Sequence, residues 1–379
     1  MNMLFITHCH GHYGASKSLQ SLLLKYDRHE ITLVLPKSSL KKYSKDEIRS
    51  FYGPNVSEIK YFHLPFKYCY MGAPEGMSLK ARNVLRNLLY IFDRRKIYSF
   101  IKEQGFEIVH LNAPVLYPLI RPDMPFIVHM RDVMLMDQSE AVEKVLQARG
   151  IIFIDPGTME PFKGRKLRNG IILNNPFDMT MLERGYDESV ILSGYGLSPD
   201  RIIFSCIGRI KDSKGVKFVV KSFLKNKNDK SVLLIFGEGD PGSGYERECR
   251  EIASNDDRIR FMGEESDIAK VYRISDYIIR GDPWHLIGRT VFEGLYSGCD
   301  VILPGNSSDL DGNPDLKEFS DKVHLYSARN AESLANMIER LLSDKIKQRI
   351  FRSNVEEYVE KFDKFVENII SQQKEFTTN

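Results

Sequence analysis

A strand that ends in a cation, with a second cation where the next helix opens, is a place to hold phosphate. The run RIIFSCIG (201–208) has the β-branched and aromatic make-up of a strand and ends in Gly208-Arg209. Five residues on, Lys214-Gly215 opens the helix pattern VKFVVKSF. A guanidinium and an ammonium beside helix N-terminal amides suit a diphosphate. Taken alone, the segment also fits a solvated loop and a helix start. A second element, HLIGRTVFEGLYSG (285–298), follows the strand pattern DYIIRGD (276–282). Gly288 would let backbone approach a ligand, Arg289 and Thr290 fall in the first helical turn, and Glu293 lies one turn further in. Amides there could hold phosphate oxygens, and the carboxylate could accept hydrogen bonds from two ribose hydroxyls. Glu293 alone fits a solvated helix residue equally well. A third element, HGHYGASKSL (10–19), puts Gly14 and Ala15 in a tight turn after the first strand, although any glycine-eased turn looks the same.

Three weaker signals carry other chemistries. GEGDPG (237–242) satisfies G-x-G-x-x-G after a strand and invites a nicotinamide reading. It follows the second strand of its domain, however, and Pro241 sits where backbone donors are wanted, so a turn beside the nucleotide is expected. Asp309-Leu310-Asp311 has the spacing of a divalent-metal site but falls in the polar loop NSSDLDGNPD, and no metal is assigned. His8, His10 and His12 flank Cys9 with no carboxylate or second thiol nearby; one of them is a candidate acceptor contact rather than a metal ligand.

The elements that must position these residues alternate strand and helix nearly throughout. MLFITH (3–8), ITLVLP (31–36), EIKYFHL (58–64), FEIVHLN (106–112), FIVHMRD (126–132), GIIFID (150–155) and GIILNN (170–175) read as buried strands. The pattern loosens at YDESVILSGYGLSP (186–199) and restarts with RIIFSCIG, SVLLIFGEG (231–239), RIRFMG (258–263), DYIIRGD, CDVILPG (299–305) and KVHLYS (322–327). The expected domains are therefore 1–190 and 199–353, each doubly wound α/β, followed by a helix over 354–379. That last helix carries Val355, Tyr358, Phe362, Phe365 and Ile369 on one side. Ligands of such sheets sit beyond the carboxyl ends of strands, so a cleft lined by both domains is expected.

Composition excludes other classes. At 379 residues the chain exceeds what one core usually supports, and 42% hydrophobic with 28% charged residues is ordinary globular usage. A net charge of +3 is too small to argue for nucleic acid. No apolar run approaches a membrane span, and the N-terminus lacks signal-peptide features. Five scattered cysteines without a CxxC pair point to a reducing compartment, hence the cytoplasm. The stretch Leu79–Lys102 is basic on one side and apolar on the other, which fits either an anionic bilayer surface or a helix packed on its sheet.

Together these residues resemble the retaining nucleotide-sugar glycosyltransferases of family 4 (glycosyl transferases group 1), whose fold is GT-B. GRIKDSKGVKFVVKSF (208–223) looks like that family's G-R-x-x-x-x-K-G pattern. RIRFMGEESDIAKVYRISDYII (258–279) and GRTVFEGLYSGCDVILPG (288–305) follow. YGASKSL (13–19), EIVHLN (107–112), HMRD (129–132) and ILNNPFD (172–178) are thinner matches. The resemblance implies two Rossmann-like domains facing across a cleft, with the C-terminal helix crossing back to the first. It implies that Arg209 and Lys214 bind the diphosphate, with Gly208 at the turn, and that Glu293 holds the ribose. Gly288, Arg289 and Thr290 would contact phosphate and sugar, Met262 and Glu264 would line the base pocket, and Gly14 would approach from the other domain. Asp132 would orient the acceptor hydroxyl.

Two departures bear on the sugar pocket. The family's glutamate eight residues before Glu293 is His285 here, and its His-Asp pair is Arg131-Asp132. His285 could donate a hydrogen bond where a glutamate accepts one. The implied activity is metal-independent transfer of a hexose-type sugar from a UDP- or GDP-sugar, with no cofactor beyond that co-substrate. The acceptor would be a glycan or lipid-linked glycan in bacterial surface polysaccharide assembly of capsule or O-antigen type, at the inner face of the cell membrane. The alternatives are a nucleotide-sugar epimerase on the same fold and a non-catalytic sugar-nucleotide-binding subunit.

Overall fold

The apolar runs pair side by side into two separate, all-parallel sheets. The computed structural model describes residues 1–11, 14–69, 77–135, 139–183, 185–240, 242–282, 287–342 and 349–378. The first sheet contains β1 (Asn2–Ile6), β2 (Glu30–Pro36), β3 (Val56–Phe62), β4 (Ile108–Leu111), β5 (Phe126–Met130), β6 (Gly150–Phe153) and β7 (Gly170–Ile172), in the order β3-β2-β1-β4-β5-β6-β7. The second contains β8 (Ile202–Ile207), β9 (Ser231–Phe236), β10 (Ile259–Gly263), β11 (Tyr277–Ile279), β12 (Asp300–Pro304) and β13 (Val323–Tyr326), in the order β10-β9-β8-β11-β12-β13. In both, the order reverses beside the first strand, between β1 and β4 and between β8 and β11. Crevices for ligands form at such switch points, beyond the carboxyl ends of the strands. This is the expected α/β architecture with two Rossmann-like sheets.

Period-two alternation builds a core on each face of the first sheet. Leu4 and Ile6 enter one cluster with Val109, Leu111 and Val128; Met3 and Phe5 enter the other with Ile31, Ile108 and Ile127. The Val355–Thr378 helix completes the second cluster with Tyr358, Phe362, Phe365, Val366 and Ile369. Gly150 is required there, because a Cβ would lie 2.5 Å from Ile369 Cδ1 and 2.8 Å from Phe365 Cζ. The last helix thus belongs to the first sheet.

The chain divides into one unit of Met1–Pro176 with Asn354–Asn379 and another of Phe177–Ser353. The boundary expected near 186–199 therefore lies earlier. Phe177 stacks on Phe292 and Tyr296 at 5.6 and 5.5 Å, and Met179 and Leu182 bury in the same cluster of the second unit. The polar stretch mimicked a linker because its Glu188–Gly194 helix is short and buries Leu192 alone; Leu192 and Leu197 pack on the second sheet.

In the Met77–Gln104 helix, Tyr90, Ile97, Tyr98 and Ile101 face the core. Asp93 of this helix is buried, accepting hydrogen bonds from Lys37 Nζ and the His63 amide, both at 2.9 Å. Val84, Leu85, Leu88, Ile91 and Phe92 are exposed, Phe92 to 76%. At the helical repeat these five share about a third of the circumference, opposite the buried side. That apolar face is therefore not spent on the sheet. No helix among the described residues is long and apolar enough to cross a membrane. The five cysteines are free, and burial pushes the Cys206 thiol up to about 12 and the Cys299 thiol up to about 11, as befits inert core residues.

Candidate functional site

At the carboxyl end of β8 the chain turns through Gly208 into Arg209, whose guanidinium pairs with Asp240 in an exposed ion pair. Lys214 closes a tight 3-10 turn, Asp212–Lys214, just ahead of the Val216–Phe223 helix. Gly215 follows with φ +64°, and a Cβ on it would fall 1.7 Å from the Gly281 carbonyl oxygen. Only glycine satisfies both the left-handed backbone and that contact. The turn is thereby pressed against the end of β11.

There it meets two residues that sequence reasoning passed over. Arg280 and Asp282 are buried, and they pair through Nη2–Oδ2 at 2.5 Å and Nε–Oδ1 at 3.2 Å. Lys214 Nζ donates to Asp282 Oδ2 at 3.2 Å while its own side chain stays 38% exposed. Arg280 Nη1 donates to Thr290 Oγ1 at 3.1 Å, and a Cβ on Gly288 would lie 2.7 Å from the same nitrogen. Lys214, Gly288 and Thr290, singled out separately in the sequence, are thus brought together through one ion pair. The available signal was two opposite charges closing an apolar strand, since charges are buried only in pairs.

Glu293 is not a solvated helix residue. Its side chain is 12% exposed, accepting from Tyr272 Oη at 2.6 Å on one oxygen and pairing with Arg289 at 3.0 Å on the other. Arg289 lies 4.8 Å over the Phe177 ring. Tyr272, fully buried, carried no signal in the sequence; burial, then the Glu293 charge, push its phenol well above the usual range. Met262 is half-buried and Glu264 exposed at the turn leaving β10, where Gly237 N donates to Gly263 O at 2.7 Å.

In the first unit, Gly14 opens the Gly14–Leu23 helix at the surface, and Asp132 is exposed beyond β5. Arg131, which replaces the family's histidine, turns its side chain inward. The residue is 9% exposed, and its guanidinium donates to Asn112 Oδ1 at 2.9 Å and to Asn175 Oδ1, with His129 Nδ1 at 3.3 Å. Ser18 also donates to Asn175 Oδ1, at 2.8 Å, so the network ties together the first helix and the ends of β4 and β5. Arg131 is held in this scaffold by all three of these contacts. His129 in turn meets His110 Nε2 at 3.3 Å, and both rings are fully buried.

The histidine run does not continue the strand, since β1 ends at Ile6. His8 lies 5.6 Å from the Phe66 ring, while His10 packs among Tyr43, Phe51 and Tyr52. His8 and His10 thus occupy different surroundings. His12 and His285 lie outside the described residues. In GEGDPG, the Gly239 amide donates at 2.7 Å to Oε2 of Glu246 on the following Tyr245–Ala253 helix, so that donor is already used. Asp309 caps its own short helix by accepting from Asn306 N at 2.8 Å, and Asp311 pairs with Lys317 at 3.1 Å.

Comparison with known proteins places a named domain on the second half of this geometry. Residues 191–366 match the family described as "Glycosyl transferases group 1". A lipopolysaccharide core biosynthesis mannosyltransferase, LpsB of Rhizobium meliloti (strain 1021), is 26% identical over 140 residues, which is 35% of this chain and 40% of that protein. Among solved structures, Anabaena Alr3699/HepE in complex with UDP superposes with a TM-score of 0.69 at 15% identity, covering 100% of both chains. Sucrose-phosphate synthase from Thermosynechococcus elongatus gives a TM-score of 0.66 at 15% identity, covering 100% of this chain and 99% of that one. Likeness at this identity speaks for the fold, which is the GT-B fold.

Proposed function

We propose that the protein is a retaining, metal-independent glycosyltransferase that moves a hexose-type sugar from a UDP- or GDP-sugar to a glycan or lipid-linked glycan. The observation that carries this reading is the Lys214 turn, with its part-exposed lysine side chain, joined to the Gly288–Thr290 helix start at the switch point of the second sheet. It lies in the segment matching the glycosyl transferases group 1 family. Arg209 and Lys214 would bind the diphosphate, Glu293 the ribose, Arg289 and Thr290 phosphate and sugar, Met262 and Glu264 the base. Gly14 and Asp132 are the assigned residues of the first unit.

In the reaction, the bond from the anomeric carbon to the phosphate oxygen breaks while a bond to the acceptor oxygen forms on the same face. The departing phosphate oxygen takes the acceptor proton, so no protein nucleophile is needed, and the protein contributes charge stabilisation and positioning. A role in lipopolysaccharide-type surface polysaccharide assembly is supported by the LpsB similarity.

Thermal-shift titration against UDP-, GDP-, ADP- and dTDP-sugars, with NAD and NADP as controls, tests the donor. One nucleotide class should raise the melting temperature, and Glu293→Ala should abolish that shift. A response to NAD(P) alone would sink the reading. NMR of the product's anomeric configuration checks retention.

The exposed stripe Val84, Leu85, Leu88, Ile91 and Phe92, with exposed Arg82, Arg94, Arg95 and Lys96 beside it, supports peripheral contact with an anionic membrane. The protein should cosediment with phosphatidylglycerol vesicles and lose most of that binding in Ile91→Glu/Phe92→Glu. Equal sedimentation of both proteins would remove this contact from the account.

A further inference from the structure

We propose that Arg280 and Asp282 are a positioning pair that aims the Lys214 ammonium and the Gly288–Thr290 helix start at a nucleoside diphosphate. The inference rests on the donor site assigned above and names residues that do not themselves need to touch the ligand.

Burying two charges carries a desolvation cost that their attraction often fails to repay, so such a pair is weak evidence of a stability device. This pair stands at the carboxyl end of β11, beside the switch point, with side chains only 7% and 3% exposed. Its backbone is anchored on both sides: Arg280 N donates to Ile302 O at 3.0 Å, and Tyr326 Oη donates to Arg280 O at 2.7 Å. From that fixed base one carboxylate serves two cations. Asp282 Oδ2 takes Arg280 at 2.5 Å and Lys214 at 3.2 Å, which leaves the cluster one net positive charge. Of the three side chains, Lys214 is the accessible one, so the surplus charge is offered to a ligand there.

Arg280 links the second segment. Its Nη1 holds Thr290 Oγ1, and it lies where a Gly288 side chain would stand. A change at the pair would therefore move both halves of the phosphate site together. It would also change the charge of Lys214. Burial first, then the Arg280 charge and, more weakly, Lys211, lower the Lys214 pKa, while the Asp282 charge and hydrogen bond raise it. The neighbouring Cys206 thiol is pushed up to about 12 and stays neutral. Removing the Asp282 charge leaves Lys214 beside an uncompensated guanidinium, where its proton is lost more easily and its direction is unset.

The test is calorimetric binding of UDP and of GDP, without sugar, from about pH 7 to pH 10, spanning the range in which a perturbed lysine titrates. The wild-type protein should bind one of them, with affinity falling on the alkaline side. Asp282→Asn should bind about tenfold more weakly or worse at neutral pH, the loss of one charge-assisted contact. Its alkaline fall should also move to lower pH. In a Lys214→Met background the same change should cost clearly less, leaving only the share carried through Arg280 and the Gly288–Thr290 helix start.

Should Asp282→Asn fail to fold with Arg280 unpaired, Arg280→Met/Asp282→Asn removes both charges at once. That variant should fold and bind more weakly than wild type. Wild-type affinity with an unshifted alkaline limb in Asp282→Asn, or wild-type affinity in the double variant, overturns the pair. Equal losses with and without Lys214 overturn action through Lys214. No binding of either nucleotide by the wild-type protein overturns the donor reading itself, and the pair with it.

Discussion

Arg209→Ala and Lys214→Ala are each expected to lower turnover by about a hundredfold or more, the usual effect of removing one donor to a charge that develops in the transition state. In the proposed reaction the departing diphosphate gains charge as the glycosidic bond breaks, and these two cations are the groups proposed to offset it. The loss should fall on kcat more than on KM, because the interaction strengthens in the transition state. The two residues reach that role from different starting points. Lys214 is already held at 3.2 Å by Asp282 on a buried base, so little reorganisation is needed. Arg209 begins in an exposed pair with Asp240, and such pairs are worth little, so a phosphate can draw it away. Asp240→Ala should accordingly leave turnover within a few fold of wild type. The assay is sugar transfer from the donor picked out by thermal shift, run in EDTA, with melting curves to show that each variant folds. Unchanged turnover in both alanine variants would place the diphosphate elsewhere.

Acid should unfold the protein unusually early, and the cause is in the first unit. Burial first, then the Arg131 charge, hold His110 and His129 well below the ordinary imidazole range. Burial first, then Arg86 and Arg131, lower His8 to about 3. The Arg131 guanidinium can only donate, so His129 Nδ1 must accept, which leaves its Nε2 and the Nδ1 of His110 buried without a described hydrogen-bond partner. None of the three rings can gain a proton without placing a new charge beside a buried arginine. Below about pH 6.5 the unfolded chain protonates these histidines and the folded chain does not. Stability therefore falls as pH falls, by up to about 1.4 kcal/mol per pH unit for each histidine. For His8 the loss continues until pH reaches its folded value of about 3. Urea unfolding followed from pH 8 to pH 4 should show the free energy steady at the upper end and dropping steeply below about 6.5. A flat profile down to pH 5 would mean that these rings are not buried as described. His129→Gln should reduce the slope.

The division between what was legible and what was not follows from distance along the chain. Strand and helix alternation is written locally, in runs such as RIIFSCIG and SVLLIF whose β-branched residues bury both faces, so two parallel sheets could be read directly. Lys214-Gly215 and Gly288 were legible for the same reason, since a glycine beside a helix start marks close approach whatever it approaches. The spiral of Tyr358, Phe362, Phe365 and Ile369 likewise announced a helix with one apolar face. What that face covers is a tertiary matter, and Gly150 shows the fit.

The roles of charged residues could not be read this way. Arg131 stood in the sequence only as a departure from the family's His-Asp pair, yet it reaches Asn175, 44 residues away, because the sheet order brings the ends of β5 and β7 near each other. Asp282 stands 68 residues from Lys214, and they meet because β11 pairs with β8. The same residue types in exposed positions would be solvated and nearly inert. Periodicity states which faces are apolar; only the packing decides which charges lose water, and a charge that loses water must find a partner.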